Sequence, residues 1–196
     1  MSRYLIVGLG NPGRKYVNNR HNVGFRCLDD LASAHGLRFN RRYNRASIAL
    51  GPILRRSVIL AKPRTFMNNS GHPVSALVRF YRVPLDRLLV VHDDLDLPLG
   101  TTRMRPSGGT GGHRGMQSII NQLGSREFPR LRIGIGRPPG RMDPADYVLQ
   151  DFSGDEELVL ERTLDQARAA IETWLTEGVE EAMTHYNRSV RREPAE

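Results

Sequence analysis

Cysteine and long apolar runs are both scarce in this sequence, and each shortage excludes a class of protein. The single cysteine among 196 residues, Cys27, rules out an intramolecular disulfide framework, so a reducing, cytoplasmic compartment is expected. No stretch approaches the roughly 20 apolar residues that a membrane span requires. The run at 5–9 is also too short for the core of a signal peptide. We therefore expect no membrane partner.

Acidic residues are also scarce, but only in one part of the chain. Residues 1–150 contain 24 Lys and Arg against nine Asp and Glu, a net charge of +15, whereas residues 151–196 contain five against twelve, a net charge of −7. A region this basic favours a polyanionic partner, above all nucleic acid. A charge that only maintains solubility, or a genome that prefers arginine codons, also fits, because only Lys15 and Lys62 are lysines.

Strand-like and helix-like segments alternate along the chain, which predicts an α/β fold in one piece. The predicted strands are 4–10, 46–53, 56–63, 87–93, 101–106 and 130–136, and the predicted helices are 22–36, 69–82, 113–124 and 154–187, with a break expected at Gly178. The short spacing between 46–53 and 56–63, with Gly51-Pro52 between them, predicts a hairpin, so the sheet should be mixed. We expect one domain over 1–188 and a loose tail over 189–196.

The last helical segment contains an apolar stripe. Its members recur at steps of four and three, and they are Leu160, Leu164, Ala167, Ile171 and Trp174. This period predicts one helix face packed on the body of the protein. The acidic residues on the outer face are expected to be solvated.

The first predicted strand runs into "YLIVGLGNPGRKY", in which Gly8, Gly10 and Gly13 have the G-x-G-x-x-G spacing of a dinucleotide-binding turn. In such a turn a helix starts at once, and an acidic residue follows at the end of a second strand. Here "RKYVNNRHN" has no helical period, and Pro12 removes a backbone donor. No dinucleotide cofactor is therefore expected. The glycines are interpreted as allowing a sharp turn that brings Asn11 to the surface.

Polar and aromatic side chains follow several predicted strands, at the edge of the sheet where ligands of open α/β proteins bind. They are Asn11, Tyr16 and His21 after the first strand, Phe66, Met67, Asn68 and Asn69 after the third, and His92, Asp93, Asp94 and Asp96 after the fourth. The segment "PSGGTGGHRG" then places a glycine-rich loop before a helix near His113. A histidine that takes a proton from water, a carboxylate that orients it and amides that hold a carbonyl oxygen can together support hydrolysis.

The same segments admit other interpretations. Three carboxylates within four positions of "HDDLD" suit Mg²⁺ or Mn²⁺, as in a metal-dependent phosphoesterase. The loop "GGTGG" lacks the lysine and hydroxyl of a Walker site, and no G-x-S-x-G elbow supports a serine nucleophile. An asparagine after a strand is most often a turn residue, and His21 is equally compatible with a capping or surface role.

Five segments in this order carry a resemblance to a known family: "LIVGLGNPGRKYVNNRHNVGF", "KPRTFMNNSG", "VVHDDLDLPLG", "GGTGGHRG" and "RLRIGIGRP". Over residues 3–187 the chain is similar to the bacterial-type peptidyl-tRNA hydrolases. The resemblance implies a phosphorylase/hydrolase-like single domain, with a twisted mixed β-sheet surrounded by α-helices. It also implies a monomer without cofactor or metal that cleaves the ester between a peptide and tRNA, which recycles tRNA after premature translation drop-off.

The resemblance also implies roles for residues at matching positions. His21 resembles the general base, Asp93 the carboxylate that holds it, and Asn11 the amide that distinguishes peptidyl from aminoacyl esters. Asn68 resembles the residue that binds the substrate and the attacking water. The remaining matches are substrate-binding residues, Tyr16, Phe66, Met67, His113 and Arg114, and two residues that grip tRNA phosphate, Arg105 and Arg132.

One position departs from the family motif, which usually reads G-G-H-N-G. This chain reads "GGHRG", with Arg114 in place of a substrate-binding asparagine. A guanidinium only donates hydrogen bonds, so it cannot copy an amide that also accepts, but it suits a tRNA phosphate. The second interpretation of the whole chain is a non-catalytic RNA-binding relative, resembling the plant organellar intron-splicing cofactors. Such a protein has no need to keep His21, Asp93, Asn11 and Asn68 together.

Overall fold

A seven-stranded β-sheet runs through the centre of the computed structural model, which describes residues 3–187. Its strands are β1 (Tyr4–Gly8), β2 (Arg41–Tyr43), β3 (Ala46–Ile53), β4 (Arg56–Pro63), β5 (Leu88–Asp94), β6 (Thr102–Arg105) and β7 (Arg130–Gly134). Their spatial order is β2-β3-β4-β1-β5-β7-β6. Strand β1 is parallel to β4 and β5, and β5 is parallel to β7, whereas the other three neighbouring pairs are antiparallel. The sheet is therefore mixed, as predicted.

Helices cover both faces of this sheet in the described part of the chain. They are α1 (Val23–Ala34), α2 (Gly71–Tyr81), α3 (Arg114–Leu123), α4 (Pro144–Tyr147), α5 (Gly154–Glu177) and α6 (Val179–Tyr186). Side chains alternate along β1, so Ile6 packs in the layer of α1 and α5, while Leu5 and Val7 pack in the layer of α2 and α3. Two apolar layers on one sheet confirm the predicted single-domain α/β fold.

Strands β3 and β4 have the predicted bounds, but the predicted position of the turn between them is wrong. Gly51-Pro52 lies inside β3, and the chain reverses at Leu54 and Arg55, whose φ angles are 46° and 65°. A two-residue hairpin turn of this kind needs positive φ at both positions to match the twist of its strands. Strand β2 and helix α4 were not predicted, because three and four residues are too few to show a period.

The glycines around the end of β1 allow helix α1 to approach the strand closely. A Cβ on Gly8 would lie 2.3 Å from the carbonyl oxygen of Gly24 in α1, and one on Gly10 would lie 2.7 Å from the ring of Phe25. Neither position can therefore carry a side chain without moving the helix. Asn11 is buried, with 8% of its surface exposed, so the expectation that it reaches the surface is wrong.

The apolar stripe of α5 is buried as predicted, in the layer that also contains α1. Its acidic residues, however, are not all simply solvated. Glu156 accepts hydrogen bonds from Arg20 at 2.6 and 2.8 Å, and Glu157 pairs with Arg26. The start of α5 thereby fixes the segment that contains Arg20. The predicted tail at 189–196 lies outside the described residues, and no described helix is long and apolar enough to cross a membrane.

Candidate active site

The carboxyl ends of β1, β4 and β5 border a cavity of about 580 Å³. Parallel pairing of β1 with both neighbours brings the segments after these strands to one edge of the sheet. The predicted site residues in the cavity wall are Asn11, His21, Phe66, Met67, Asn68, Asp93, His113 and Arg114. Tyr16 is not part of this wall; its half-buried ring lies 4.7 Å from Nζ of Lys15.

A buried carboxylate joins two histidines in this wall. Nδ1 of His21 lies 2.9 Å from both carboxylate oxygens of Asp93, and Nε2 of His113 lies 2.9 Å from its Oδ1. The Asp93 side chain is only 3% exposed. The three groups come from a short 3₁₀ turn at Arg20–Asn22, from the end of β5 and from the residue before α3. The fold thus assembles a triad from distant parts of the sequence.

The hydrogen bonds around His113 determine which nitrogens carry protons. Nδ1 of His113 accepts from the backbone N–H groups of Gly115 and Met116 at 3.1 and 3.3 Å, and so caps α3. Nδ1 therefore has no proton, and Nε2 donates to Asp93. Because ionised Asp93 only accepts, Nδ1 of His21 also donates to it. The lone pair on Nε2 of His21 is then left to take a proton.

Burial and Asp93 act in opposite directions on the pKa of His21. Burial disfavours the charged imidazolium and lowers the pKa, but the Asp93 carboxylate and its hydrogen bond outweigh this effect, so the pKa is raised. The positive charge of Arg114 opposes the rise. Burial by itself would raise the pKa of Asp93, but its two histidine partners hold that pKa well below the usual range. Asp93 is therefore ionised at neutral pH.

The position of His21 is fixed by the segment between α4 and α5. The backbone N–H of His21 donates to the carbonyl oxygen of Val148 at 2.8 Å. The preceding guanidinium, that of Arg20, is buried, lies 4.4 Å from the ring centre of Tyr147 and pairs with Glu156. Because the two residues are adjacent, this buried ion pair holds the imidazole against its carboxylate partner.

Asn11 is held in place by Asn22. The backbone N–H of Asn11 donates to Oδ1 of Asn22, and Nδ2 of Asn22 donates to the backbone carbonyl of Asn11, both at 2.9 Å. The side-chain oxygen of Asn11 accepts from the backbone N–H of Met67 at 2.8 Å. Since that oxygen is occupied, Nδ2 is the group with which Asn11 can donate to a ligand in the cavity.

The segment after β4 supplies the exposed part of the cavity wall. Phe66 is 58% exposed and Asn68 is also exposed, whereas Met67 is buried. Met67 packs tightly on the start of α3, since a Cβ on Gly115 would lie 2.6 Å from its sulfur. Phe66 and Asn68 can therefore contact a ligand, while Met67 holds their segment against α3.

The glycine-rich loop before α3 is held by a buried arginine. Arg130 of β7 is 2% exposed and donates to the carbonyl oxygens of Gly108 and Gly109 at 2.6 and 2.9 Å. Burial lowers the pKa of Arg130 to about 10, which leaves it charged at neutral pH. This loop leads into His113 and Arg114. Arg114 is exposed at the start of α3, and none of the described residues forms a hydrogen bond with its side chain.

The carboxylates of "HDDLD" do not converge on a metal site. Asp94 binds Nε of Arg132 at 2.5 Å, and Asp96 pairs with Arg137. Among the described residues, one group has ligand atoms within 4.8 Å of one another: His21, Asp93 and His113. A metal ligand must be deprotonated, but Nε2 of His113 carries a proton because its other nitrogen accepts two backbone hydrogen bonds. The donor set therefore fits a hydrogen-bonded triad and not a cation.

The two residues predicted to grip tRNA lie on the far edge of the sheet. Arg105 ends β6 and is exposed, while Arg132 lies on β7 and is half-buried. Neither residue lines the cavity. Nε of Arg132 binds Asp94, so its two terminal nitrogens are the ones left for a phosphate.

Three buried polar residues around the site were not predicted from the sequence: Arg20, Asn22 and Arg130. Their partners lie 11 or more positions away along the chain, so no local pattern marks them. The available signal is adjacency, because Arg20 and Asn22 flank His21 directly. The wall contributed by α4 and the residues after it was also missed, because that helix was not predicted.

Comparisons with known proteins agree with this geometry. A sequence profile of the peptidyl-tRNA hydrolase family matches residues 5–194. The peptidyl-tRNA hydrolase of Carboxydothermus hydrogenoformans is 54% identical over 94% of this chain and 98% of its own length, and the chloroplastic one of Arabidopsis thaliana is 52% identical over 94% of this chain and 64% of its own. A crystal structure of the enzyme from Acinetobacter baumannii is 34% identical with a TM-score of 0.89, covering 95% of this chain and 97% of that one. The chain therefore belongs to the peptidyl-tRNA hydrolase family.

Proposed function

We propose that the chain hydrolyses the ester that links a peptide to tRNA, with His21 as the general base and Asp93 as the carboxylate that orients it. The observation that carries the proposal is the contact of both Asp93 oxygens with Nδ1 of His21 at 2.9 Å. This contact leaves Nε2 of the same ring as the proton acceptor. The substrate class follows from the activity for which the family's members are named.

The reaction requires a proton acceptor within hydrogen-bond reach of the attacking water. As the water oxygen bonds to the ester carbonyl carbon, its proton passes to Nε2 of His21, and Asp93 stabilises the imidazolium. The side-chain amides of Asn11 and Asn68 stand in the same cavity wall and can donate to the carbonyl oxygen as its negative charge develops. When the C–O bond to the tRNA ribose breaks, the proton on Nε2 passes to the leaving oxygen. The peptide carboxylate is then released.

The non-catalytic alternative fits the site less well. A buried ionised carboxylate is costly unless several hydrogen bonds offset the loss of water. Asp93 is buried at the wall of an open cavity and receives these bonds from His21 and His113. An RNA-binding surface gains nothing from this arrangement, whereas a general base needs it.

A direct test uses tRNA charged with an N-acetylated amino acid, incubated with the protein in the presence and absence of EDTA. The matched control substrate is the same aminoacyl-tRNA without the acetyl group. We expect release of the acetylated amino acid, no effect of EDTA and slow cleavage of the unblocked ester. Absence of release contradicts the proposal, and loss of release with EDTA supports the metal-dependent phosphoesterase type of mechanism.

The affinity for tRNA is expected to fall as salt concentration rises, because bound cations are released from the phosphates. The Arg105→Ala variant should lower the slope of log K against log salt by about 1, since one phosphate contact is lost. Filter binding of uncharged tRNA at several salt concentrations measures this slope. Arg79→Ala, which removes an exposed arginine of α2, is the matched control. Equal slopes for the wild type and Arg105→Ala would contradict a role of Arg105 in tRNA binding.

Arg114 is expected to bind a phosphate near the 3′ end of the tRNA. Its planar guanidinium suits two hydrogen bonds to one phosphate, and it lies exposed in the wall of the same cavity as His21. Arg114→Asn and Arg114→Ala should therefore raise KM and weaken its dependence on salt. If both variants keep the wild-type KM and salt slope, the side chain is a solvated surface group.

The pH profile of the same variants provides an independent measurement. His21 acts as a base only when neutral, so kcat/KM falls as the pH drops below its pKa. Arg114 lowers that pKa by charge repulsion. Removal of the cation should therefore raise the pKa and move the acid limb of the profile to higher pH.

A further inference from the structure

A second cavity, of about 410 Å³, lies next to the active-site cavity, and Phe66 forms part of both walls. Its lining residues are Pro12, Arg45, Arg64, Thr65, Phe66 and Asn69. Two arginines therefore border a space that a ligand in the active site reaches by passing one exposed aromatic ring. Neither the sequence motifs nor the proposed reaction uses these arginines.

The fold brings the two arginines to the same edge of the sheet as the active site. Arg45 lies in the turn between β2 and β3 with a φ of 62°. Strand β3 is antiparallel to β4, so its first residue, Ala46, lies opposite Pro63 at the carboxyl end of β4. The backbone N–H of Arg64 donates to the carbonyl oxygen of Arg45 at 2.7 Å. The two side chains thus start from hydrogen-bonded neighbours.

The charge of this region indicates an anionic ligand. Residues 31–85 contain ten Lys and Arg and no Asp or Glu. Among the residues at 3–187, none forms a salt bridge with Arg45 or Arg64, and both side chains are exposed. In the same wall, the hydroxyl of Thr65 is buried and has no hydrogen-bond partner in the described part of the chain. The cavity therefore offers donors and positive charge without an acidic partner.

The position of the second cavity favours the peptide over the tRNA. Along the sheet, β6 and β7 carry the predicted tRNA contacts at one end, and His21 and Asp93 stand near the middle, over β1 and β5. The second cavity lies on the other side, beside β3 and β4. A substrate with its tRNA at Arg105 and its ester at His21 would direct its peptide towards Arg45 and Arg64.

We propose that the second cavity binds an acidic side chain of the peptide in peptidyl-tRNA, with Arg45 and Arg64 contacting its carboxylate. This inference rests on the proposed function. An extended peptide advances about 3.3 Å per residue, so passing the ring of Phe66 takes one or two residues. The acidic residue is therefore the second or third from the ester. Paired arginines suit a carboxylate because each guanidinium offers a planar fork of donors.

The test compares N-acetylated tripeptidyl-tRNAs that carry either Glu or the isosteric Gln at the second or third residue from the ester. For the wild type we expect kcat/KM to be about five-fold higher with Glu at one of these positions, as a charged contact at a partly exposed site allows. Arg45→Gln combined with Arg64→Gln should remove this preference and leave the rate with the Gln substrates unchanged. Arg79→Gln, an exposed arginine outside both cavities, should retain the preference.

Equal rates of the wild type with Glu and Gln substrates overturn the inference while leaving the proposed function intact. A preference that persists in the double variant also overturns it. Weaker binding of uncharged tRNA by the double variant would assign the cavity to RNA instead of peptide, which again contradicts the inference. If the wild type cleaves none of the four substrates, the proposed function itself fails.

Discussion

Replacing His21 with alanine is expected to lower the rate of ester cleavage by about 10²–10⁴-fold, the usual effect of removing a general base. Nε2 of this ring is the proton acceptor of the triad, because Nδ1 donates to Asp93 and Nε2 of His113 already carries a proton. Single-turnover release of an acetylated amino acid from tRNA measures the rate. The affinity for uncharged tRNA should stay at the wild-type value, since no phosphate contact is removed.

A second variant separates catalysis from folding. His21→Asn retains a side-chain N–H that can donate to Asp93, but it has no nitrogen that accepts a proton at neutral pH. We expect it to be as inactive as His21→Ala and to melt at a temperature close to that of the wild type. His72→Ala, which removes an exposed histidine of α2, serves as the matched control and should be fully active. A folded His21 variant with wild-type turnover would show that another group takes the proton.

Much of the fold was predictable because long apolar runs mark the buried strands. The bounds of β3 and β4 were predicted correctly, since both strands are nearly continuous runs of eight residues that lie between polar segments. The position of the reversal was not, because Leu54 and Arg55 lack the glycine or asparagine that usually marks a turn with positive φ. Prediction failed where the backbone adopts a conformation that its residue types do not advertise.

The residues of the site could be named from the sequence, but their arrangement could not. The polar residues after β1, β4 and β5 meet because parallel strands end at one edge, and this much follows from the order of strands. The supporting contacts join residues far apart along the chain, such as Arg20 with Glu156 and His21 with Val148. No periodicity records such pairs. The proton positions in the triad depend in turn on His113 capping α3, which only the coordinates show.

Replacing Asp93 with asparagine is expected to lower the rate by up to about 10⁴-fold through the tautomer of His21, as in the comparable aspartate replacement in serine proteases. Asp93 accepts from Nδ1 of His21 through both oxygens and from His113 through one of them. An asparagine places an N–H₂ group against one donor. His113 cannot adapt, because its Nδ1 accepts from two backbone N–H groups. His21 therefore moves its proton to Nε2 and loses the lone pair that the reaction needs.

This mechanism makes a prediction beyond the lost rate. Nitrogen NMR of His21 should show the proton on Nδ1 in the wild type and on Nε2 in Asp93→Asn. The missing negative charge should also lower the pKa of His21, because Asp93 is what raises it, so the acid limb of the residual activity should move to lower pH. A variant that keeps the wild-type tautomer and pH profile but loses activity would point to a different role for Asp93. A variant with wild-type turnover would show that this buried carboxylate does not orient the base.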